Sequence, residues 1–275
     1  MESVNEAIAS GLLPGRLWLY ANFDCNLACG YCLTGSSPSA APRRLGREVM
    51  LELARQAREL GFEALGVTGG EPFLIDGMPA LLSELSELLP LVVLSNGSLL
   101  VGAVLDELEV LRGRPVRLQL SIDSAVPAEN DRLRGPGAFR ATVEAIEGLR
   151  SRGLAVRVAT TSSSIGEQDL ECLRALLSEL GVPPDEHVVR PVVRRGRARD
   201  HQAGLEVTRG EVPPELTITA DGAFWGPFGP TVSGGQLATD LLVTPTILPL
   251  SVPAEALLEL VQGRLPGEDA RKGIR

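Results

Sequence analysis

Cys25, Cys29 and Cys32 fall within eight residues, in the run Cys-Asn-Leu-Ala-Cys-Gly-Tyr-Cys, and the chain has one other cysteine, Cys172. Three thiolates on one short loop can hold three irons of a cubane iron–sulfur cluster. The fourth iron then has no protein ligand, and an open iron is a place for a substrate to bind. A structural zinc would ask for four closed ligands, with a second pair of Cys or His. The two histidines, His187 and His201, lie far downstream and outside any paired motif. Cys172 sits among Leu170, Leu173, Leu176 and Leu177 of a helical stretch, which predicts a buried, inert thiol.

The elements that must position these cysteines alternate short β-branched runs with longer helical ones. Leu17 to Phe23 predicts a strand leading straight into the cysteine loop. Gly46 to Leu60 is apolar at helical spacing, with Gly61 closing it, and Ala64 to Thr68 is a short buried strand. Helices over Met78 to Leu88, Val101 to Arg112, Phe139 to Arg152 and Asp169 to Leu180 then separate strands over Leu91 to Leu94, Val116 to Ile122, Ala155 to Thr160 and Val188 to Val193. Six β units joined by helical crossovers imply an α/β fold with a parallel sheet. Right-handed crossovers curve it into a partial (β/α)6 barrel or leave it open and doubly wound. In either case ligands meet the carboxyl ends of the strands.

Those ends carry the unusual residues. Strand one ends in the cysteines, strand two in Gly69-Gly70-Glu71-Pro72, strand three in Ser95-Asn96-Gly97 and strand four in Ser121-Ile122-Asp123-Ser124. Glycines let backbone approach a ligand closely, and backbone carbonyls or Glu71 can accept bonds from an ammonium. Ser121 and Asp123 are two residues apart on a strand, so both can address one ligand. Each motif also has a plain reading: a βα turn, an Asn-Gly turn, an N-cap aspartate. Four of them on one rim is the more telling observation.

Composition narrows the class. At 275 residues, 44% hydrophobic and 22% charged, the chain can bury a full core. A net charge of −9 argues against a nucleic-acid partner. No apolar run has membrane-spanning length, and the acidic start, Met1 to Glu6, lacks a signal-peptide shape. Four unevenly spaced cysteines then suit a reducing cytoplasm.

The arrangement Cys-x3-Cys-x-aromatic-Cys resembles the radical S-adenosylmethionine (SAM) superfamily. The resemblance implies that Cys25, Cys29 and Cys32 bind one [4Fe–4S] cluster whose open iron chelates the amino and carboxylate groups of SAM. An electron from the cluster would cleave SAM to a 5′-deoxyadenosyl radical that abstracts a substrate hydrogen. Gly69, Gly70 and Glu71 look like the family's GGE motif, and Ser95 and Asn96 like its strand-three turn. Ser121 and Asp123 look like its Ser-x-Asp motif, addressing the ribose or the methionyl region. Arg132 and Arg134, in the run to Phe139, resemble an Arg-Gly-x-Gly-x-Phe stretch of the molybdenum-cofactor and SPASM-associated subgroup, with Arg134 the choice for the SAM carboxylate. Tyr31 lies over the adenine or lends it a backbone group; packing beside the cluster is the alternative. The strand-six segment around Val193 resembles the one that flanks adenine in that subgroup. The five arginines between Arg190 and Arg199 either contact an anionic substrate or form a solvated loop.

The resemblance divides the chain into a lead-in over 1–15, a radical SAM core over 16–200 and an extension over 201–275. In the extension, Leu216 to Thr219 and Ala223 to Trp225 flank a hairpin turn and look like the opening of a SPASM domain. There the subgroup places cysteines for auxiliary clusters; this chain offers Gly226, Pro227 and Gly229. The expectation is one cluster, a cysteine-free SPASM-like remnant ending in a helix over Ala254 to Gln262, and a frayed tail from Gly263. The function implied is SAM cleavage on an unidentified small-molecule or peptide substrate, with an electron donor such as flavodoxin or ferredoxin. The alternative is a non-catalytic iron–sulfur and SAM-binding partner or maturation protein.

Overall fold

A computed structural model describes residues 2–161, 166–233 and 235–263. The expected tail from Gly263 lies, from residue 264 on, outside the described residues. Six parallel strands form the expected series: β1 (Arg16–Tyr20), β2 (Ala64–Thr68), β3 (Leu91–Ser95), β4 (Val116–Ser121), β5 (Ala155–Thr161) and β6 (His187–Arg190), in that spatial order. The sheet does not stop at β1. Strand β7 (Leu216–Thr219) pairs parallel to it, through Trp18 with Thr217 and Leu19 with Ile218. β8 (Gly222–Trp225) and Leu242–Thr244 then add antiparallel strands at that edge. The segment after residue 200 therefore continues the sheet through a hairpin.

The helices are α1 (Val4–Ala9), α2 (Arg47–Glu59), α3 (Met78–Leu88), α4 (Gly102–Glu107), α5 (Pro127–Arg134), α6 (Ala138–Ser151), α7 (Glu167–Glu179), α8 (Arg197–Asp200) and α9 (Ser251–Val261). They cover one face of the sheet because the strands alternate. Leu65 and Val67, Leu91 and Val93, Leu118 and Leu120, and Val156 and Val158 are buried and point toward the helices. Leu53, Leu82, Leu85, Ile146, Leu149 and Leu173 meet them there. Each such side chain contributes about 1.5–3 kcal/mol of burial, so this layer fixes the strand register. The opposite parity faces the concavity of the partial barrel. None of the described helices is long and apolar enough to cross a membrane.

Several boundaries differ from expectation for local reasons. β6 ends at Arg190 rather than Val193, because Pro191 has no N–H for the ladder. Val193 makes only an isolated bridge to Leu205. The stretch 101–112 splits into α4 and a 3₁₀ turn over Leu108–Leu111. α1 starts on a capping box, in which Ser3 Oγ accepts from the Glu6 N–H and Glu6 returns a carboxylate to the Ser3 N–H. α5 was not anticipated; Pro127 sits at its first position, where a missing N–H costs nothing. Cys172 is exposed, not buried. The buried line of α7 runs through Leu173 and Leu177, and Cys172 is rotated about 100° from it.

Candidate active site

The three cysteines occupy the loop that leaves β1, held by one bond of its own and by two other segments. The Cys25 N–H donates to Ser37 O at 3.2 Å, closing the loop on itself. The Gly30 N–H donates to Leu133 O of α5 at 2.9 Å. The third hold is Arg197, at the start of α8. Its Nε donates to Cys29 O at 2.8 Å, Nη1 to Gly35 O at 3.0 Å and Nη2 to Ser36 O at 2.5 Å. Its own N–H donates to Cys32 O at 3.0 Å. Gly196 precedes it at φ 53°, where a Cβ would lie within 2.5 Å of the Cys32 and Leu33 carbonyl oxygens. Only glycine lets α8 dock this closely.

The loop turns all three sulfurs into one cavity of about 410 Å³. The Cys25 sulfur accepts from the Leu27 N–H at 3.4 Å and from Asn96 Nδ2 at 3.7 Å. Cys32 Sγ lies 3.3 Å from Thr34 Oγ1, and Cys29 Sγ 3.7 Å from Arg134 O. Burial pushes the Cys25 thiol up to about 12 and raises that of Cys29. Both thiols are therefore held protonated at neutral pH. Among the described residues no three His, Cys, Asp or Glu side chains converge on a single-ion position. A cubane asks for something else, one thiolate per iron, with N–H donors to the sulfurs. The donor set here fits that group.

The rim motifs gather around the same cavity, each in its own way. Gly69 and Gly70 line it. A Cβ on Gly70 would collide with the Asp24 carbonyl, and one on Gly69 with Asn22. The two glycines thus let the end of β2 press against the residues that lead into Cys25. Glu71 is fully buried and its carboxylate is spent on the protein. Oε1 accepts from the Phe73 N–H at 3.1 Å and Ser95 Oγ at 2.9 Å, and Oε2 from the Asn96 N–H at 2.8 Å. Burial nevertheless raises its pKa to about 6, against the pull of those three bonds. Through them Glu71 sets Ser95 and Asn96, which do line the cavity.

Ser121 lines the cavity as well, but Asp123 does not. Asp123 is buried, accepts the Thr161 N–H at 2.8 Å and pairs with Arg134 at 3.3 Å. Tyr31 hydroxyl joins the pair, receiving Arg134 Nη1 at 2.5 Å and bonding the Asp123 carboxylate. Tyr31 and Arg134 both reach the cavity wall. Arg134 Nε is buried without a partner, leaving one hydrogen bond unspent. Val193 reaches the wall although it lies past β6. The sequence reading missed Arg197, Thr161, Trp18 and Tyr20. The last three share the inward parity of their strands, which is the signal that could have found them. Val207, Val212, Pro227 and Phe228, from the segment after residue 200, close the far side.

Three cysteines on a loop after the first strand of a partial barrel, lining a cavity ringed by polar strand ends, make up the candidate site. The sequence pattern described as the Radical SAM superfamily matches residues 22–180. The chain belongs to the radical SAM superfamily, in its molybdenum-cofactor and SPASM-related subgroup, whose members are enzymes that use a [4Fe–4S] cluster and SAM. It is 29% identical over 159 residues to an AdoMet-dependent heme synthase of Methanosarcina barkeri, covering 57% of this chain and 45% of that one. It is 30% identical over 149 residues to a PqqA peptide cyclase of Streptomyces rochei, covering 53% and 40%. The fold matches native anSMEcpe with bound AdoMet and Cp18Cys peptide at a TM-score of 0.64 and 11% identity, covering 94% and 85%. The chain spans less than half the length of these two curated relatives.

Proposed function

We propose that this protein is a radical SAM enzyme that cleaves SAM reductively at a single [4Fe–4S] cluster and abstracts a hydrogen from a peptide or natural-product precursor. The observation that carries the reading is the common cavity: three cysteine sulfurs, Gly69, Gly70, Ser121 and Arg134 wall one space. When bound, the cluster supplies the electron that releases a 5′-deoxyadenosyl radical from SAM.

The chain's own residues bind, orient and exclude water. Cys25, Cys29 and Cys32 are the cluster ligands. The Gly69–Gly70 backbone, Ser95, Asn96 and Ser121 orient SAM, and Arg134 spends its free Nε–H there. Glu71 and Asp123 serve from behind, Glu71 through Ser95 and Asn96 and Asp123 through Arg134 and Tyr31. Tyr31 and the backbone at Val193 bracket the adenine. Residues 16–200 form the SAM core. Residues 201–275 are a SPASM-like remnant that has exchanged cluster ligands for the apolar wall of Pro227 and Phe228. A peptide-like substrate is supported by the names of relatives, a PqqA peptide cyclase and a structure holding Cp18Cys peptide. The setting is the cytoplasm, with flavodoxin or ferredoxin as reductant and neither nucleic acid nor membrane as partner.

The test is anaerobic reconstitution with iron and sulfide. It should give about four irons per chain, and 5′-deoxyadenosine from SAM and dithionite. An intact cluster with no 5′-deoxyadenosine would favour the non-catalytic partner.

A further inference from the structure

The concave face of the sheet is strongly charged for an acidic protein. Trp18, Ser121, Thr161 and Arg190 all line the cavity that holds the cysteines. By strand parity Arg16, Arg117, Gln119 and Arg157 continue the same face toward the amino ends of the strands. Arg16, Arg117 and Arg157 line a second cavity of about 370 Å³ there. These deeper arginines have carboxylate partners. Arg117 and Arg157 share Glu186, each at 3.0 Å, and Arg16 lies 3.7 Å from Glu215. Glu211 also lines the first cavity, its carboxylate accepting from the Thr208 N–H and hydroxyl, so four arginines stand against three glutamates and one positive charge is in excess.

Arg190 is where that excess is left. It ends β6, in register beside Thr161 of β5. Among the described residues its hydrogen bond is to Gln119 Oε1 at 3.4 Å, a neutral and long contact, and no carboxylate lies within 4.0 Å. The rest of the basic run is already engaged or exposed. Arg194 bonds Glu206 and Gly204 O, Arg195 bonds Asp240 and Thr231, Arg197 holds the cysteine loop, and Arg199 faces solvent. Burial, with Arg157 and Arg16 nearby and Glu215 offsetting them only in part, disfavours the charged form of Arg190.

We infer that Arg190 binds a carboxylate of the substrate on the floor of the SAM cavity. This rests on the cavity being the substrate site of the proposed enzyme, and it adds the chemistry of the group recognised. A guanidinium fork matches a planar carboxylate with two hydrogen bonds. One free cation suits a single charge, so a monoanionic carboxylate is the class and phosphate is not. Ser121 and Thr161 hydroxyls wall the same space and suit the polar end of such a group. The carboxylate can come from a small acid, a peptide C-terminus or an acidic side chain.

The experiment uses the reconstituted full chain with SAM bound and titrates four probes by calorimetry and by Trp18 fluorescence. The probes are propionate, acetyl-Ala-Ala with a free C-terminus, acetyl-glutamate amide and inorganic phosphate, with acetyl-glutamine amide as the neutral control. At least one carboxylate should bind, the neutral control should not, and R190Q should weaken that carboxylate about tenfold or more. The tightest of the three carboxylates identifies the source. SAM affinity and the 5′-deoxyadenosine formed without substrate should be unchanged in R190Q. The inference is overturned if no carboxylate binds wild type, if phosphate binds more tightly than every carboxylate, if binding survives in R190Q, or if R190Q loses SAM affinity. Failure of wild type to form 5′-deoxyadenosine would instead count against the proposed activity, and the two failures are read separately.

Discussion

Removing the Arg197 side chain tests whether the cysteine loop is shaped before iron arrives. Its guanidinium satisfies three carbonyls, at Cys29, Gly35 and Ser36, in one loop. A hydrogen bond to a charged group contributes about 1.5–3 kcal/mol. Arg197 is only half-buried, so water re-solvates part of what is lost. About 1 kcal/mol per bond, and about 3 kcal/mol in all, is the discounted figure. The cost falls on the loop, because α8 keeps its backbone bond to Cys32. Cluster binding has to recover it, which corresponds to about 100-fold weaker retention. R197A and R197K would be reconstituted, and iron counted per chain during titration with a chelator. The chelator concentration that removes half the iron should fall about 100-fold in R197A. In R197K, whose single ammonium reaches one carbonyl well, the fall should be smaller. Unfolding of the cluster-free chain, followed by circular dichroism, separates loop loss from fold loss. If R197A keeps both wild-type iron and wild-type chelator resistance, the loop does not depend on this clamp and the reasoning is wrong.

Two further outcomes follow from burial. Glu71 titrates at about 6 when folded against an ordinary 4.5, so the folded chain binds its proton first and stability rises as pH falls through that window. Relative to E71Q, the cluster-free wild type should gain about 1 kcal/mol between pH 7.5 and 5 and about 2 kcal/mol by pH 4, read from urea midpoints; a difference that stays flat or falls with acid would contradict it. Cys172 is exposed while the other three thiols face the cavity, so iodoacetamide on the native cluster-loaded protein should add one carbamidomethyl group, at Cys172. Native protein that resists alkylation there would return Cys172 to the core.

The strand series, the partial barrel and the cysteine loop were legible because each rests on local pattern: alternation, helical spacing and three like residues in a short run. Errors arose where a distant partner decides the outcome. Cys172 sits in a leucine-rich helix, yet burial is a property of one face and not of composition. β6 lost its last residues to Pro191, a signal present in the sequence and outweighed there by the run of valines. The pairing of β7 with β1 joins residues some 200 apart, and no local pattern encodes it.

The same limit governs the polar residues, and there it bears on function. A motif says which side chains stand near a ligand, but not which of them the protein has already used. Glu71, the acidic member of a recognisable motif, faces inward and is saturated by Phe73, Ser95 and Asn96. Arg190, one of five arginines in a run that reads as a solvated loop, stands at the cavity and, among the described residues, bonds only the neutral amide of Gln119. Such a contrast appears only when every donor and acceptor on the rim is assigned a partner. Among the described residues Arg134 Nε has no partner and the Arg190 guanidinium bonds only Gln119, and both residues line the same cavity as the cysteines.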